Sequence, residues 1–294
     1  MPKSAESDTP MRLIGNKPEA YWDSRMAQFP VLSKLLLRVI VAVVWLWTKL
    51  MWRWETEDRQ VLLDATKKRG CVIVMNHVSM LDPIVPYCEL YYAGRNTRAI
   101  YKSEFNKVGI MRAVLTVLGG IPVERGTADV KALRRAQRSL QAGESLLIYP
   151  EGTRVKAGEP SVLHGGFALM AKMTHTKVIP MAIVGARDIT PRGKHVPRPG
   201  KVYCKVGQPL DFDRFEGLGR KEQVVAMEQA AWDEVIRLRD ELRDEHPERC
   251  RFAHGKHRGG KPGGRLLRRG TRPQDGHGRC REGRRGPDSG SAHP

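Results

Sequence analysis

The sequence predicts an α/β fold: a mixed sheet flanked by helices, with an N-terminal membrane-associated helix before it and a disordered C-terminal tail after it. Three observations predict this. The short runs 72–75, 145–149 and 178–184 are apolar and rich in β-branched residues, as buried strands are, and segments of helical periodicity separate them. Residues 31–54 are long, apolar and free of Gly and Pro. From Arg251 glycines are dense, aromatics stop after Phe252, and twelve basic residues face three acidic ones.

The chain has 294 residues, enough for one large domain with a sizeable core or two modest ones. Its formal net charge of +19 calls for an anionic partner such as nucleic acid, an acidic membrane surface or a phosphorylated substrate. Close to half of that excess sits in the tail, so the folded part is less basic than the total suggests. Cys71, Cys88, Cys204, Cys250 and Cys280 are odd in number, scattered, and never spaced as C-x-x-C. That pattern argues for a reducing compartment, against a disulfide framework and against a zinc site.

Residues 1–29 read as a flexible arm broken by Pro2, Pro10, Gly15 and Pro18, too polar and mixed in charge for a secretory signal. Residues 30–54 read as a membrane-anchoring helix. At about 100° per residue, Lys34, Arg38, Lys49 and Arg53 share one sector, while Ile40, Val43, Val44, Trp47, Leu50 and Met51 fill the opposite side. With Trp45, Trp47, Trp52 and Trp54 gathered near one end, this fits a helix lying in the membrane interface. A single span is the second reading and requires Lys and Arg to snorkel, because a span needs roughly 20 apolar residues. A core helix is the third.

The folded domain runs over 55–245. Its charged opening, 55–70, ends in the surface turn Lys67-Lys68-Arg69-Gly70 ahead of the first strand. Residues 83–92 read as a helix, 97–102 as a strand and 110–118 as a helix stopped by Gly119 and Gly120. A short extended segment follows over 121–125. Residues 130–142 form an amphipathic helix whose Lys131, Arg134, Arg135 and Arg138 make a solvated face. Residues 163–173 read as a helix entered through Gly165 and Gly166, 201–206 alternate like an edge strand, and 221–243 carry Val224, Met227, Ala231, Val235, Leu238 and Leu242 on one face. Residues 246–294 make the basic Gly/Arg-rich tail.

Polar clusters follow four of the strands: Asn76, His77, Ser79 and Asp82; Lys102; Arg125; and Glu151, Gly152, Thr153 and Arg154. A loop after a buried strand exposes side chains on a fixed backbone. His77 can take and return a proton near neutral pH, and Asp82 can hold its other ring nitrogen. A His–Asp pair at this spacing also arises by chance, and Ser79 can be a plain helix cap. Several cations beside a proton-transfer pair suggest a phosphate-bearing substrate whose hydroxyl is to be deprotonated.

These residues resemble the sequence blocks of the 1-acyl-sn-glycerol-3-phosphate acyltransferase (glycerolipid acyltransferase) family. Asn76-His-Val-Ser-Met-Leu-Asp82 is similar to the block N-H-x-S-x-x-D, and Gly120-Ile-Pro-Val-Glu-Arg125 to a second block ending in Arg. Tyr149-Pro-Glu-Gly-Thr-Arg154 is similar to F-P-E-G-T-R with Tyr for Phe, and Val178-Ile-Pro180 to a last apolar block. Order and spacing agree over 71–184. The resemblance makes 55–245 an acyltransferase domain that moves a fatty acyl group from acyl-CoA, or from acyl carrier protein, to lysophosphatidic acid, giving phosphatidic acid at the cytoplasmic face of the cell membrane. His77 would be the general base and Asp82 its orienting partner. Asn76, Ser79, Lys102, Arg125, Glu151, Gly152, Thr153 and Arg154 would bind substrate, with Arg125 and Arg154 suited to phosphate and Glu151 to an Arg or a glycerol hydroxyl. No cofactor and no metal are expected, since the thioester is already activated. One departure stands out: His164 occupies a position where the family often has Lys, turning a fixed cation into a titratable one.

Two alternatives remain at this level. One is acylation of another lysophospholipid or a glycolipid. The other is nucleic-acid binding through the tail, which lacks the aromatics that stack bases, so nucleic acid is not the expected partner.

Overall fold

The computed structural model describes residues 17–124, 129–152, 163, 166–189 and 197–247. The elements are α1 (Pro18–Asp23), α2 (Val31–Trp52), β1 (Glu55–Glu57), α3 (Arg59–Ala65), β2 (Val72–Met75), α4 (Ile84–Tyr92), β3 (Thr97–Lys102) and α5 (Gly109–Val117). They continue with β4 (Ile121–Val123), α6 (Val130–Gln141), β5 (Ser145–Ile148), α7 (Phe167–Thr174), β6 (Val178–Val184), α8 (Ala186–Ile189), β7 (Tyr203–Val206) and α9 (Arg220–Glu245).

The strands form one sheet in the order β1-β7-β6-β2-β5-β3-β4. The block from β6 to β4 is parallel, β7 runs antiparallel to β6, and β1 is parallel to β7, so the sheet is mixed. Strand β2 is central and buried at every residue. Its side chains alternate between two cores, as the period of two requires. Ile73 and Met75 join Val85, Leu90, Ile179 and Met181 on the face covered by α4 and α2. Val72 and Val74 join Ala136, Leu140, Phe167, Met227 and Val235 on the face covered by α6, α7 and α9.

This arrangement creates the crevice in which a site can form. The chain leaves β2 through α4 and crosses to β3, beyond β5; it leaves β5 through α7 and crosses back to β6, beyond β2. The two crossovers depart in opposite directions and lie on opposite faces. The carboxyl ends of β2 and β5 are therefore a topological switch point, where open α/β sheets bind ligands.

Several expectations change. Residues 55–57, read as charged approach, form β1, and 59–65 form α3. Strand β7 is not an edge: β1 pairs along its far side, and Lys205 reaches Glu57 at 2.9 Å while lying within 3.6 Å of Glu241 and 3.4 Å of Glu245 on α9. A lysine bound by three carboxylates explains the polar alternation that looked like an edge. The tail boundary also moves, since His246 stacks on Tyr203 with ring centroids 3.5 Å apart. Residues 248–294, which include most of the proposed tail, lie outside the described residues.

The N-terminal arm is structured from Pro18 onward. Pro18 breaks nothing: it opens α1, where its fixed φ and missing N–H are suited to the first turn. Trp22, Met26 and Phe29 are buried. Arg98 and Glu144 form a fully buried ion pair, Nε to Oε2 2.6 Å. The other Glu144 oxygen accepts the Met26 N–H at 2.5 Å, and the Arg98 guanidinium donates to the carbonyls of Tyr21 and Ser24. Asp23 accepts from Arg135 and Arg138, so these two members of the expected solvated face are engaged instead.

Helix α2 packs one stripe, Ser33, Leu37, Val41, Thr48 and Trp52, against the domain. Its other side exposes Val31, Leu32, Leu35, Leu36, Val39, Val43, Leu46, Trp47 and Leu50, with Leu50 76% accessible. Exposed apolar surface this continuous marks a partner or membrane contact. The helix is long and apolar enough to cross a membrane by length and composition.

Removing one member of the buried pair leaves an unpaired charge, which typically costs about 3–5 kcal/mol. Glu144→Ala is expected to lose stability of that order in chemical denaturation, and to expose the 17–29 segment to limited proteolysis before global unfolding. The buried thiols give a second expectation. Burial pushes Cys71 up to about 11 and Cys88 up to about 12. Both stay protonated near neutral pH, so alkylation of the native protein at about pH 8 should label neither until the chain is unfolded.

Candidate active site

The site begins where β2 runs out. Asn76 is buried, and its side chain takes over the pairing that the strand abandons: Nδ2 donates to the Ile183 carbonyl at 3.0 Å and Oδ1 accepts the Ile183 N–H at 2.8 Å. This two-point bond fastens the start of the loop to β6. The next residue, His77, is fastened from the other side. Its backbone N–H donates to Glu151 Oε2 at 2.6 Å, and Glu151 belongs to the loop after β5.

The His77 side chain is then aimed by Asp82. His77 Nδ1 lies 2.9 Å from Asp82 Oδ2. The same oxygen accepts the backbone N–H groups of Val78 at 2.6 Å and Ser79 at 2.7 Å. Ser79 Oγ accepts the Leu81 N–H at 3.2 Å, closing the turn that delivers Asp82. Asp82 is fully buried, and its other oxygen, Oδ1, has no hydrogen-bond donor among the described residues. Its charge therefore bears on the imidazole and the two amides. A carboxylate facing Nδ1 requires Nδ1–H, which leaves Nε2 as the ring's acceptor. The His77 side chain keeps 15% of its surface accessible against none for Asp82, so the ring alone of this pair can meet a substrate.

Tyr149 forms the floor. Its ring lies 4.3 Å from that of His77, tilted by 30°, and fixes the imidazole in rotation. Its hydroxyl finds the Met75 sulfur at 4.0 Å, and burial followed by the charge of Asp82 holds it well above the usual phenol range. A turn from Tyr149 to Gly152, closed by the Gly152 N–H to the Tyr149 carbonyl at 3.0 Å, presents Glu151. Gly152 has φ +62°, a conformation costly for side-chain-bearing residues.

The structure thus brings together Asn76, His77, Ser79, Asp82 and Glu151. It shows structural duties for three of them. Asn76 and Ser79 were expected to bind substrate; both are buried and spend their side chains on backbone groups. Glu151, expected to hold an Arg or a glycerol hydroxyl, also holds the His77 backbone. Lys102 stands at the end of β3, two strands from β2, with Nζ 2.6 Å from Glu104. Arg125, Thr153 and Arg154, together with His164, lie outside the described residues. Two participants went unread in the sequence. Tyr149 was noted only as a substitution, though an aromatic directly before the Pro-Glu turn is its signal. Ile183 has none, since it serves through its backbone.

The family profile described as Acyltransferase matches residues 57–184, from β1 to the end of β6. Residues 57–184, somewhat less than half of the chain, thus resemble the acyltransferase family. Among curated relatives, a chloroplastic 1-acyl-sn-glycerol-3-phosphate acyltransferase of Brassica napus is 29% identical over 48% of this chain and 40% of its own length. That of Bacillus subtilis is 25% identical over 59% of this chain and 83% of its own length. The chain spans about half the length of several of the curated relatives it matches. The crystal structure of the 1-acyl-sn-glycerophosphate (LPA) acyltransferase of Thermotoga maritima superposes with a TM-score of 0.52 at 25% identity, covering 70% of this chain and 81% of that one.

The Asn76 clamp is open to a direct check. Asn76→Ala orphans a buried N–H and a buried carbonyl on Ile183, each worth about 1–3 kcal/mol. Denaturant unfolding should show a loss of that order with the m-value unchanged; a loss below about 0.5 kcal/mol would mean that water replaces the clamp.

Proposed function

We propose that this protein transfers a fatty acyl group from an acyl thioester, on coenzyme A or acyl carrier protein, to the free hydroxyl of lysophosphatidic acid, giving phosphatidic acid. The observation that carries the reading is the His77–Asp82 pair, with Nδ1 2.9 Å from an oxygen of a buried carboxylate, an arrangement that favours the tautomer with Nε2 as acceptor. Nε2 takes the proton of the acceptor hydroxyl as its oxygen attacks the thioester carbonyl. Asp82 stabilises the imidazolium that forms. The carbon–sulfur bond then breaks, and the departing thiolate takes the proton from His77. The hydroxyl belongs to the substrate, so no acyl-enzyme and no serine nucleophile are involved.

Glu151 contributes by holding the His77 backbone, and Tyr149 by limiting rotation of its ring. Lys102, Arg125 and Arg154 are assigned to the acceptor phosphate, where guanidinium forks and an ammonium suit an anion. The exposed apolar side of α2 supports a membrane anchor. The free buried Cys71, Cys88 and Cys204 support a reducing compartment, consistent with a domain on the cytoplasmic side.

General-base help is worth about 10²–10⁴-fold, so His77→Ala should lower the acyl-transfer rate by that factor with little change in stability. Glu151→Gln keeps an acceptor for the His77 N–H and should retain far more activity than Glu151→Ala. The assay is transfer from acyl-CoA to a panel of lysophosphatidic acid, other lysophospholipids and a glycolipid acceptor. Unchanged turnover in His77→Ala would defeat the mechanism, and preference for an acceptor lacking the phosphomonoester would defeat the substrate assignment.

A further inference from the structure

The amino ends of the same strands hold a second feature that the acyl-transfer reading does not use. A cleft of about 280 Å³ lies there, and five of the side chains lining it are cations: Arg25, Lys67, Lys68, Arg69 and Arg95. They come from three separate places in the chain, the segment before α2, the turn before β2 and the turn before β3. The length of β2, about 13 Å for four residues at ~3.3 Å each, separates this cleft from the His77 loop.

Among the lining residues the acid is Glu144, and it does not neutralise them. Both its oxygens are taken, one by Arg98 and one by the Met26 N–H. Arg69 donates to the Thr174 carbonyl and retains further donors. Arg95 buries its Nε without a hydrogen-bond partner among the described residues, an unmet demand in a protein interior. The packing that assembles the cleft is specific. A Cβ on Gly70 would collide with the Glu144 carbonyl, so a glycine is what lets the Lys67–Arg69 turn lie against the wall formed by Ala142, Gly143 and Glu144.

Five like charges held around one concavity repel each other and focus a positive potential into it. We propose that this cleft is a second anion site, taking a phosphomonoester or pyrophosphate group. Arginine forks and lysine ammonium groups bind such oxygens, and a group of two or more charges relieves the repulsion. The group can be supplied by a soluble phosphorylated compound or by an anionic lipid head group. Because Arg25 belongs to the segment leading into α2, occupancy ties that segment to the turns before β2 and β3.

The test uses the full chain in detergent. Inorganic pyrophosphate is titrated by calorimetry into the wild type and into the Lys67→Ala/Lys68→Ala variant, and lysine acetylation is followed by mass spectrometry with and without pyrophosphate. Two sites are expected in the wild type, one of them at the catalytic crevice. The variant should weaken the second at least about tenfold, a change of ~1.4 kcal/mol, while acyl transfer stays within about twofold. Pyrophosphate should protect Lys67 and Lys68 from acetylation and raise Tm in the wild type, but leave Tm less changed in the variant. Protection by phosphatidylcholine vesicles containing phosphatidic acid, but not by pure phosphatidylcholine vesicles, would assign the source to lipid. Protection by soluble pyrophosphate alone would assign it to a free compound. An identical isotherm in the variant, or Lys67 and Lys68 protected only by single-stranded RNA, would overturn the proposal. Loss of acyl transfer in His77→Ala is a separate readout, so the two readings can fail independently.

Discussion

Strand β2 has no edge and no solvent face. It is paired with β6 on one side and β5 on the other, and its four side chains divide between two cores. A strand held on four sides cannot shift register without moving apolar side chains to the wrong core. The residue that follows it therefore starts from a fixed position, and Asn76 extends the fixation one step through Ile183. The loop beyond inherits its geometry from Asp82, whose single oxygen gathers the His77 ring and two backbone amides. Conformational freedom is removed in sequence, strand first, then backbone, then ring. Such preorganisation is what a base would need if charge developed on its imidazole.

The opposing crossovers around β2 and β5 have a second consequence. With α4 and α2 on one face and α6, α7 and α9 on the other, the carboxyl ends of β2 and β5 lie between two helical layers. Glu151 joins the β5 loop to the β2 loop there. His77 is held by groups from both halves of the sheet, so distortion of either half reaches it.

At the other end, a buried ion pair performs a different task. Arg98 and Glu144 saturate one another and also hold the backbone of the segment that leads into α2. Replacing such pairs with apolar residues is often neutral or stabilising, so its value here is directional rather than energetic. It fixes where the chain enters α2, and hence which side of that helix meets the domain and which side, with Leu32, Val43 and Leu50, faces outward. The intact pair also keeps Glu144 from neutralising the nearby cations.

Much of the fold was legible in the residues. The β-branched runs marked β2, β5 and β6, and periodicity marked α9 with nearly its whole buried face, because those signals are local. The His77–Asp82 pair and the Tyr149–Gly152 turn were legible too, since five-residue and four-residue spacings need no tertiary context. Strand β1 escaped, since Glu-Thr-Glu has no strand signature of its own and exists by pairing with β7. The ordered arm escaped because Arg98 and Glu144, far along the chain, order it. Which stripe of α2 the domain covers, Ser33, Leu37, Val41, Thr48 and Trp52, escaped as well, because no local pattern says which side of a largely apolar helix meets the sheet. The sequence by itself determined the chemistry available to this protein, an imidazole, a carboxylate beside it and a set of cations. Tertiary structure decided their duties, giving Asn76, Ser79 and Glu151 hydrogen bonds that support the loop. Hydrogen bonds to a distant backbone, such as those to Ile183 and His77, depend on strand order, and no local pattern of residues specifies strand order.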